Sequence, residues 1–450
     1  MALPATSVWE VRPTVGSDTN GGGFDSAMGG TDYSQQNAKN SSGNNKSTTD
    51  VVATGVATIT SATASFTSAI VGNIIYLAGS GITTGWYEVV TYTNGTTIIL
   101  DRSPGTGTGA TMNIGGALAT IATAYGSAAV ASNTIWIKAT GSYTTTSAMT
   151  LSNSFVNGTP FYFIGYTTAR GDGGQATWTT ATNSIQLMIS GGTGCVNHCF
   201  ININFTNTAG TSAPCFDGGL NGAMDGLRLV NCTFNGFTFA VKGAFSNAVN
   251  WDILGLIMES CSVTACTGAY AVGCSGLTFI IDTIIYSNTG DGVRMTITSS
   301  SGNGGPCIIE RSILYNNGGN GLYCDGSNTI IPQSLWPILI NSAIVANTNH
   351  GINIGGDNYS PIIVINTIIE SQGGYGINTT SNGTGFVIFY ANAYRANSSG
   401  DLNGGNLVKS GTDITLTAEP FTTVGSNWTL NNTSGGGAAC KAVGFPSSIP

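Results

Sequence analysis

Between residues 199 and 380, apolar and polar positions follow one short phrase that recurs: an apolar pair, a polar residue, a small residue, then apolar residues again. The phrases are LVNCTF from Leu229, MESCSV from Met258, IIDTII from Ile280, IERSIL from Ile309, LINSAI from Leu339 and VINTII from Val364. Their polar markers are Asn231, Ser260, Asp282, Arg311, Asn341 and Asn366, giving steps of 29, 22, 29, 30 and 25, and Asn204 in ININFTN opens the series 27 residues earlier. A second ladder, Gly292, Gly321, Gly351 and Gly376, runs in phase with it. Two locked ladders with a β-rich character and a period between about 20 and 50 residues predict a β-solenoid, one coil per repeat. The ladder glycines are expected to take φ > 0 at tight corners.

Strand alternation sorts the repeat into columns. Leu229, Met258, Ile280, Ile309, Leu339 and Val364 should point inward, as should Phe234, Val263, Ile285, Leu314, Ile344 and Ile369. Between them lies a small column of Cys232, Cys261, Thr283, Ser312, Ser342 and Thr367, with a bend at the marker that resets the parity. One outward column is unexpectedly apolar: after Arg228 come Ile257, Phe279, Ile308, Ile338 and Ile363. Five coils of it would make a stripe about 20 Å long, which soluble monomers rarely leave open. Either loops or the C-terminal tail cover it, or it packs against identical copies, most naturally as a parallel trimer.

Composition narrows the class. The 450 residues hold 8% charged side chains, a mean hydropathy of +0.17 and a net charge of -8. That balance argues against disorder and against a nucleic-acid partner, which needs a basic footprint. The start, MALPATSVWEVRPTVGSD, lacks the pattern of a signal peptide, and no apolar run is long enough to cross a membrane. A soluble product made in a cytoplasm is therefore expected. Most of the ten cysteines read as buried thiols, since Cys232 and Cys261 share an inward column.

Residues 1–25 give a strand and a Gly/Asp/Asn turn, VRPTVGSDTNGGG. This motif resembles the opening of right-handed parallel β-helix proteins, in which the turn leads to a helix capping the solenoid. Here the matching helix is GGALATIATAYGSAAVA at 115–131, so residues 26–114 read as an insertion. Within it, ATGVATITSA, NIIYLAG, GWYEVVTYT and TTIILDRS predict a small β-barrel or sandwich, similar to small β-domains near the start of phage structural proteins. Residues 132–400 are the parallel β-helix, of about ten coils and ~50 Å long at the usual strand spacing. Residues 401–450 lose the repeat and resemble the closing segment of phage and environmental β-helix proteins, expected to cross the last coil and block its edge. The fold class expected is all-β, a right-handed single-stranded parallel β-helix with an inserted barrel or sandwich.

Parallel β-helices often host polysaccharide lyases and hydrolases, so paired carboxylates matter. Glu259 and Glu310 share a column two coils apart, ~9.6 Å by strand spacing, with Asp282 and Arg311 beside them. That separation falls near the inverting range of glycosidases. The plain reading is a surface ion pair between Asp282 and Arg311. For a cation, Asp18, Asn20 and Asp25 offer oxygens, although turn chemistry uses the same residues. Cys195, His198 and Cys199 in GCVNHC want a fourth zinc partner, and His350, Asp291, Asp325 and Asp357 sit at corners. No phosphate loop is present and no cofactor is expected.

The resemblance implies a structural component of a bacteriophage virion, whether tail fibre, tailspike or capsid decoration. It would assemble with other virion proteins after synthesis in the host cytoplasm and contact host surface polysaccharide. The alternative is a polysaccharide-degrading β-helix lyase or glycoside hydrolase.

Overall fold

The computed structural model describes residues 8–14, 16–22, 47–128, 134–151, 160–180, 188–190, 195–209, 213–218, 224–243, 255–274, 276–296, 305–326, 336–356, 361–379, 387–405, 407–409, 412–446 and 448–449. The chain is all-β, a parallel β-solenoid with a small antiparallel six-strand barrel early in the sequence. It divides into two compact units, residues 1–143, 155–178 and 199–203 in the first and residues 144–154, 179–198 and 204–450 in the second.

In the first unit, strand Val8–Val11 pairs parallel to Thr134–Lys138, which in turn pairs with Phe161–Tyr166. The barrel closes through Ser47–Thr54, Thr58–Thr60, Thr97–Leu100, Gly85–Asn94, Ile74–Ala78 and Thr106–Ile114. Alternation fills its interior with Val51, Ile59, Leu77, Tyr87, Ile98 and Met112, while the intervening side chains face out. Its first and last strands are neighbours, Ser47 opposite Asn113, so the chain leaves and re-enters at adjacent points. The helix is Ile121–Ala128, shorter than 115–131, because Gly115 and Gly116 take φ of +59° and +82° and Thr120 supplies the N-cap.

In the second unit the described residues contain seven complete turns of three strands, from Arg228–Val230, Thr233–Asn235 and Val241–Lys242 to Val387–Tyr390, Ala393–Arg395 and Gly400–Asn403. Stacking of equivalent strands builds three parallel sheets, called first, second and third in the order 228, 241 and 233. The register matches the sequence columns: Leu229 stands over Met258, Met258 over Ile280 and Ile280 over Ile309. Both apolar columns are fully inside.

Each marker bends the chain by adopting a left-handed conformation, φ between 46° and 54° from Asn231 to Asn366. Asn202 (φ 57°) and Ala391 (φ 55°) extend the series, and Asn204 pairs with Thr233 on the third sheet. The series therefore begins two residues before Asn204. After the bend the small column hydrogen-bonds up the stack: the Thr283 amide donates to Ser312 Oγ at 3.1 Å, and the Ser312 amide to Ser342 Oγ at 3.2 Å. A methyl-sized hydroxyl fits there and satisfies an amide the bend leaves free.

A second left-handed bend, at Ala265, Ser287, Asn316, Ala346, Ser371 and Ala396, ends the short third-sheet strand. The next residue in four of these coils, Asn288, Asn317, Asn347 and Gln372, forms a buried amide ladder in which the oxygens of Asn317, Asn347 and Gln372 accept from the backbone and side-chain amides of the residue one coil before. The ladder glycines are not the left-handed residues. A Cβ on Gly321 would lie 2.5 Å from Ile344 Cγ2, and one on Gly376 2.6 Å from Asp401 O, so these glycines serve close packing between coils.

The C-terminal segment first pairs with the last complete turn through Leu407–Lys409 and Ile414–Thr415. Residues 416–449 lie on the outer face of the third sheet, where Leu416, Phe421, Trp428, Leu430, Cys440, Phe445 and Ile449 cover Ile313, Ala343, Val345, Ile368 and Ala393. The physical reason is an apolar outward column, Ile284, Ile313, Ala343, Ile368 and Ala393, which needs a cover that solvent cannot give.

Candidate functional site

The carboxylates singled out in the sequence sit on the outer face of the first sheet. Glu259, Ile281 and Glu310 are in one register column, so the two glutamates are separated by a full coil. Arg311 grips Asp282 with two bonds, Nε to Oδ1 at 2.7 Å and Nη2 to Oδ2 at 2.8 Å, and reaches Glu310 Oε1 with Nη1 at 2.6 Å. Arg228 Nη2 donates to Glu259 Oε2 at 3.1 Å. The five side chains are 32–51% exposed. The hydrogen bonds of Arg311 to Asp282 come first among the causes that raise its pKa. Every carboxylate already has a guanidinium and lies in water, whereas an acid catalyst needs burial or a like charge to keep its proton. The cluster is a ladder of surface ion pairs.

The cation candidates are committed elsewhere. Asp18 accepts from the amides of Ala119 and Thr120 at 3.0 and 2.9 Å and from Thr120 Oγ1 at 2.9 Å, holding the residue that caps the helix. Asn20 Nδ2 donates to Ala117 O at 2.7 Å. Asp25 and Asp357 lie outside the described residues. No group of three metal-ligating side chains occurs among the described residues, His198 and Cys199 of GCVNHC are buried, and no described helix is long and apolar enough to cross a membrane. His350 is a corner residue: its Nδ1 accepts from the Tyr375 amide at 2.9 Å, its ring stacks on Tyr375, and burial lowers its pKa. Asp291 accepts from the Asn320 amide at 2.7 Å, and burial raises its pKa.

Ile257, Phe279, Ile308, Ile338 and Ile363 share one outward column of the first sheet, half-buried by their neighbours, and Ile388 and Val408 continue it. The C-terminal segment, packed on the third sheet, does not cover this column.

A concave site exists on the third sheet, at the margin of the C-terminal cover. On its outer face Thr264, Tyr286, Tyr315, Val345, Glu370 and Arg395 form one column and Ser262, Ile284 and Ile313 begin the next. The cover reaches Val345 and Ile313 but leaves Tyr286, Ile284 and Ser262 partly open. The hairpin Phe421–Thr423 and Asn427–Leu430 stands beside them as a wall. Together they enclose a groove of about 410 Å³. Its floor is Trp428, Ile284 and Ile449, its sides are Tyr286 and Tyr315, and its rim carries Ser262, Ser426, Asn427, Thr429 and Ser448.

The aromatic groups are held in place. Trp428 meets Tyr315 edge to face at 5.3 Å and Phe421 at 5.0 Å. Gly425 turns the hairpin with φ +87°, and a Cβ there would come within 3.0 Å of the Tyr315 hydroxyl, so the hairpin tip and the tyrosine fit only with glycine. Thr429 accepts Thr422 Oγ1 through its carbonyl, and its amide donates to Asn427 Oδ1 at 3.1 Å, which fixes the rim. Among the described residues, no Asp, Glu, Lys, Arg or His lines the groove. The sequence reading, directed at carboxylates, missed this site. Its signal was the third-sheet outward column changing from Thr233 and Ser262 to Ile284 and Ile313, together with the stacked Tyr286 and Tyr315.

No family model and no curated protein matches the chain. Among solved structures, the chain is similar to pectate lyase Pel9A at 16% identity, over 69% of this chain and 79% of that one, with a TM-score of 0.40. A rhamnogalacturonan lyase is 13% identical over 69% and 87%, with a TM-score of 0.45. The catalytic unit of a thermostable GH87 alpha-1,3-glucanase from Streptomyces thermodiastaticus strain HF3-3 is 11% identical over 82% and 87%, with a TM-score of 0.39. These three act on polysaccharides by their names, and likeness of this degree transfers no activity to this chain.

Proposed function

We propose that this chain is a carbohydrate-binding β-solenoid that holds a neutral saccharide in the groove of Tyr286, Tyr315 and Trp428 without cleaving it. The observation that carries this reading is the lining: aromatic side chains at the sides and floor, hydroxyls and one amide at the rim, and no carboxylate, amine, guanidinium or imidazole among the described residues. Sugar rings present apolar C–H faces and a girdle of hydroxyls, so an aromatic wall with neutral hydrogen-bonding groups is complementary to both. The volume also falls within the range of small-ligand sites, about 300–1,000 Å³. No carboxylate, lysine or histidine is among the described residues there to serve as acid or base, and the carboxylates of the first sheet are each engaged by arginine.

The proposal keeps the contact with surface glycans expected from the sequence and does not rest on a place in a virion. A glycan array probed with the wild-type chain and with Tyr286→Ala tests it. Tyr286 is partly open and contributes little to the packed cover, so the variant should fold and lose at least about tenfold in affinity for the retained glycans, consistent with removing one stacking face. Equal retention by both proteins would place binding elsewhere.

A further inference from the structure

Beneath the same C-terminal segment lies a group of charges that the groove does not use. Glu370, at the end of strand Ile368–Glu370, points outward from the third sheet into the cover and is fully buried. Neither of its oxygens finds a hydrogen-bond partner among the described residues. One coil on, Arg395 places Nε 3.4 Å from Glu370 Oε2 and donates through Nη2 to Glu419 Oε2 at 2.7 Å. Glu419 belongs to the segment itself, just before Phe421, whose amide donates to Glu419 Oε1 at 3.2 Å. Two carboxyl groups thus share one guanidinium, Glu370 shut off from water and Arg395 and Glu419 at its edge, 21% and 36% exposed.

We propose that this trio is a proton-dependent latch, which holds residues 416–449 on the solenoid while the pair of Glu370 and Glu419 carries one proton and releases them in alkaline solution. The charge count supplies the reason. With one proton on the pair, a carboxylate and a guanidinium balance; without it, a second negative charge is buried with no partner, which is costly in a low-dielectric site. The elements around the trio bring little else that titrates. The helix Gly437–Ala442 contributes Cys440, whose thiol burial pushes up to about 12, while Lys441 of that helix turns to Asn432. Val345, the next residue down the column, is apolar.

Burial, and then the neighbouring Glu419, push the Glu370 carboxyl from 4.5 up to about 8, against the pull of Arg395. The sign follows from linkage: a carboxyl with a raised folded-state pKa stabilises the docked form fully below about 4.5 and loses that contribution as pH rises to about 8. The latch stands on this geometry alone; only its consequence, loss of the hairpin wall of the groove, rests on the sugar reading.

Hydrogen-exchange protection factors on the full chain, compared at about pH 6 and about pH 9.5, test the latch by one-proton linkage. Amides of residues 416–449 should lose roughly a hundredfold in protection, while those of Leu339 and Val364 in the inner ladder stay unchanged. In Glu370→Gln, a neutral isostere, the segment should hold the same protection at both pH values. Glu419→Gln, which leaves one carboxylate for Arg395, should flatten the dependence as well and guards against a fold defect in the first variant. A wild-type segment equally protected at both pH values overturns the proposal, and so does a Glu370→Gln variant that loses protection as the wild type does. Because exchange is read without any glycan, this outcome is independent of whether the groove binds sugar.

Discussion

Asp18 holds Thr120 across 102 residues of chain: its carboxylate accepts the Thr120 amide and hydroxyl, both at 2.9 Å. The barrel lies between these two residues, yet the turn and the helix meet as though it were absent. Because Ser47 and Asn113 are paired, the barrel begins and ends at one place. Its described ties to the first strand and its turn include Trp86 Nε1 donating to Asn20 O at 2.9 Å, Asn113 Nδ2 donating to Thr19 O at 2.7 Å and the edge of Trp86 against Trp9 at 6.2 Å. Replacing residues 47–113 by a short Gly/Ser bridge should leave a folded solenoid with the same far-UV spectrum per strand residue. Global unfolding of that chain would show that the barrel belongs to the solenoid's core. Asp18→Ala alone should cost about 1 kcal/mol, as losses at helix N-termini do, read as a lowered denaturation midpoint.

The inner ladders are predicted to tolerate neither bulk nor loss of an amide. Ser312→Leu adds methylenes where Thr283 and Ser342 stack directly above and below, and overpacking of this kind costs about 1–3 kcal/mol. Asn317→Leu removes the acceptor of the Asn288 amide and side chain, leaving buried donors unpaired at about 1–3 kcal/mol. Chemical denaturation of each variant decides; unchanged midpoints would refute the ladder account.

How far the sequence reaches is clear from these same residues. Leu229 to Val364 and Phe234 to Ile369 were legible because their period and alternation express burial directly. The Asn288 to Gln372 ladder was not, since Asn in a turn-rich chain serves corners as often as interiors, and only the coil-to-coil register distinguishes the two. The path of the tail was hidden for another reason. Nothing local in WTLNNTSGGG fixes where it docks; the third-sheet face with Ile313 and Ile368 does. Glu259 and Glu310 were placed correctly by column, but their arginine partners depend on side-chain reach that spacing alone does not give.

In the first unit, one buried carboxylate ties two strands and the turns that follow them. Glu10 accepts from Arg12 Nε at 3.1 Å, from Arg170 Nη2 at 2.7 Å and from the Tyr166 hydroxyl. Glu10→Gln would leave two guanidinium groups without their counter-charge. Breaking one partner of a buried pair typically costs about 3–5 kcal/mol, and equilibrium unfolding should register a loss of that order. A midpoint equal to wild type would mean that the arginines find other partners.

The outward column of the first sheet predicts association. Ile308 and Ile338 lie at the middle of an apolar run from Ile257 to Val408, with Trp336 exposed beside it. Light scattering on the purified chain should report an oligomer, expected to be a trimer with parallel solenoids, and the double change Ile308→Asp with Ile338→Asp should yield a monomer. A wild-type chain that is monomeric and soluble would remove this proposal.

The central claim, recognition without cleavage, is tested most directly by incubating the wild-type chain with a glycan it retains and measuring new reducing ends and intact bound glycan together over time. The account predicts stable retention with no reducing ends above the protein-free control, because no carboxylate is among the described residues of the groove and Glu259, Glu310 and Asp282 are paired to arginine. Steady release of reducing ends that Glu310→Gln abolishes would contradict it.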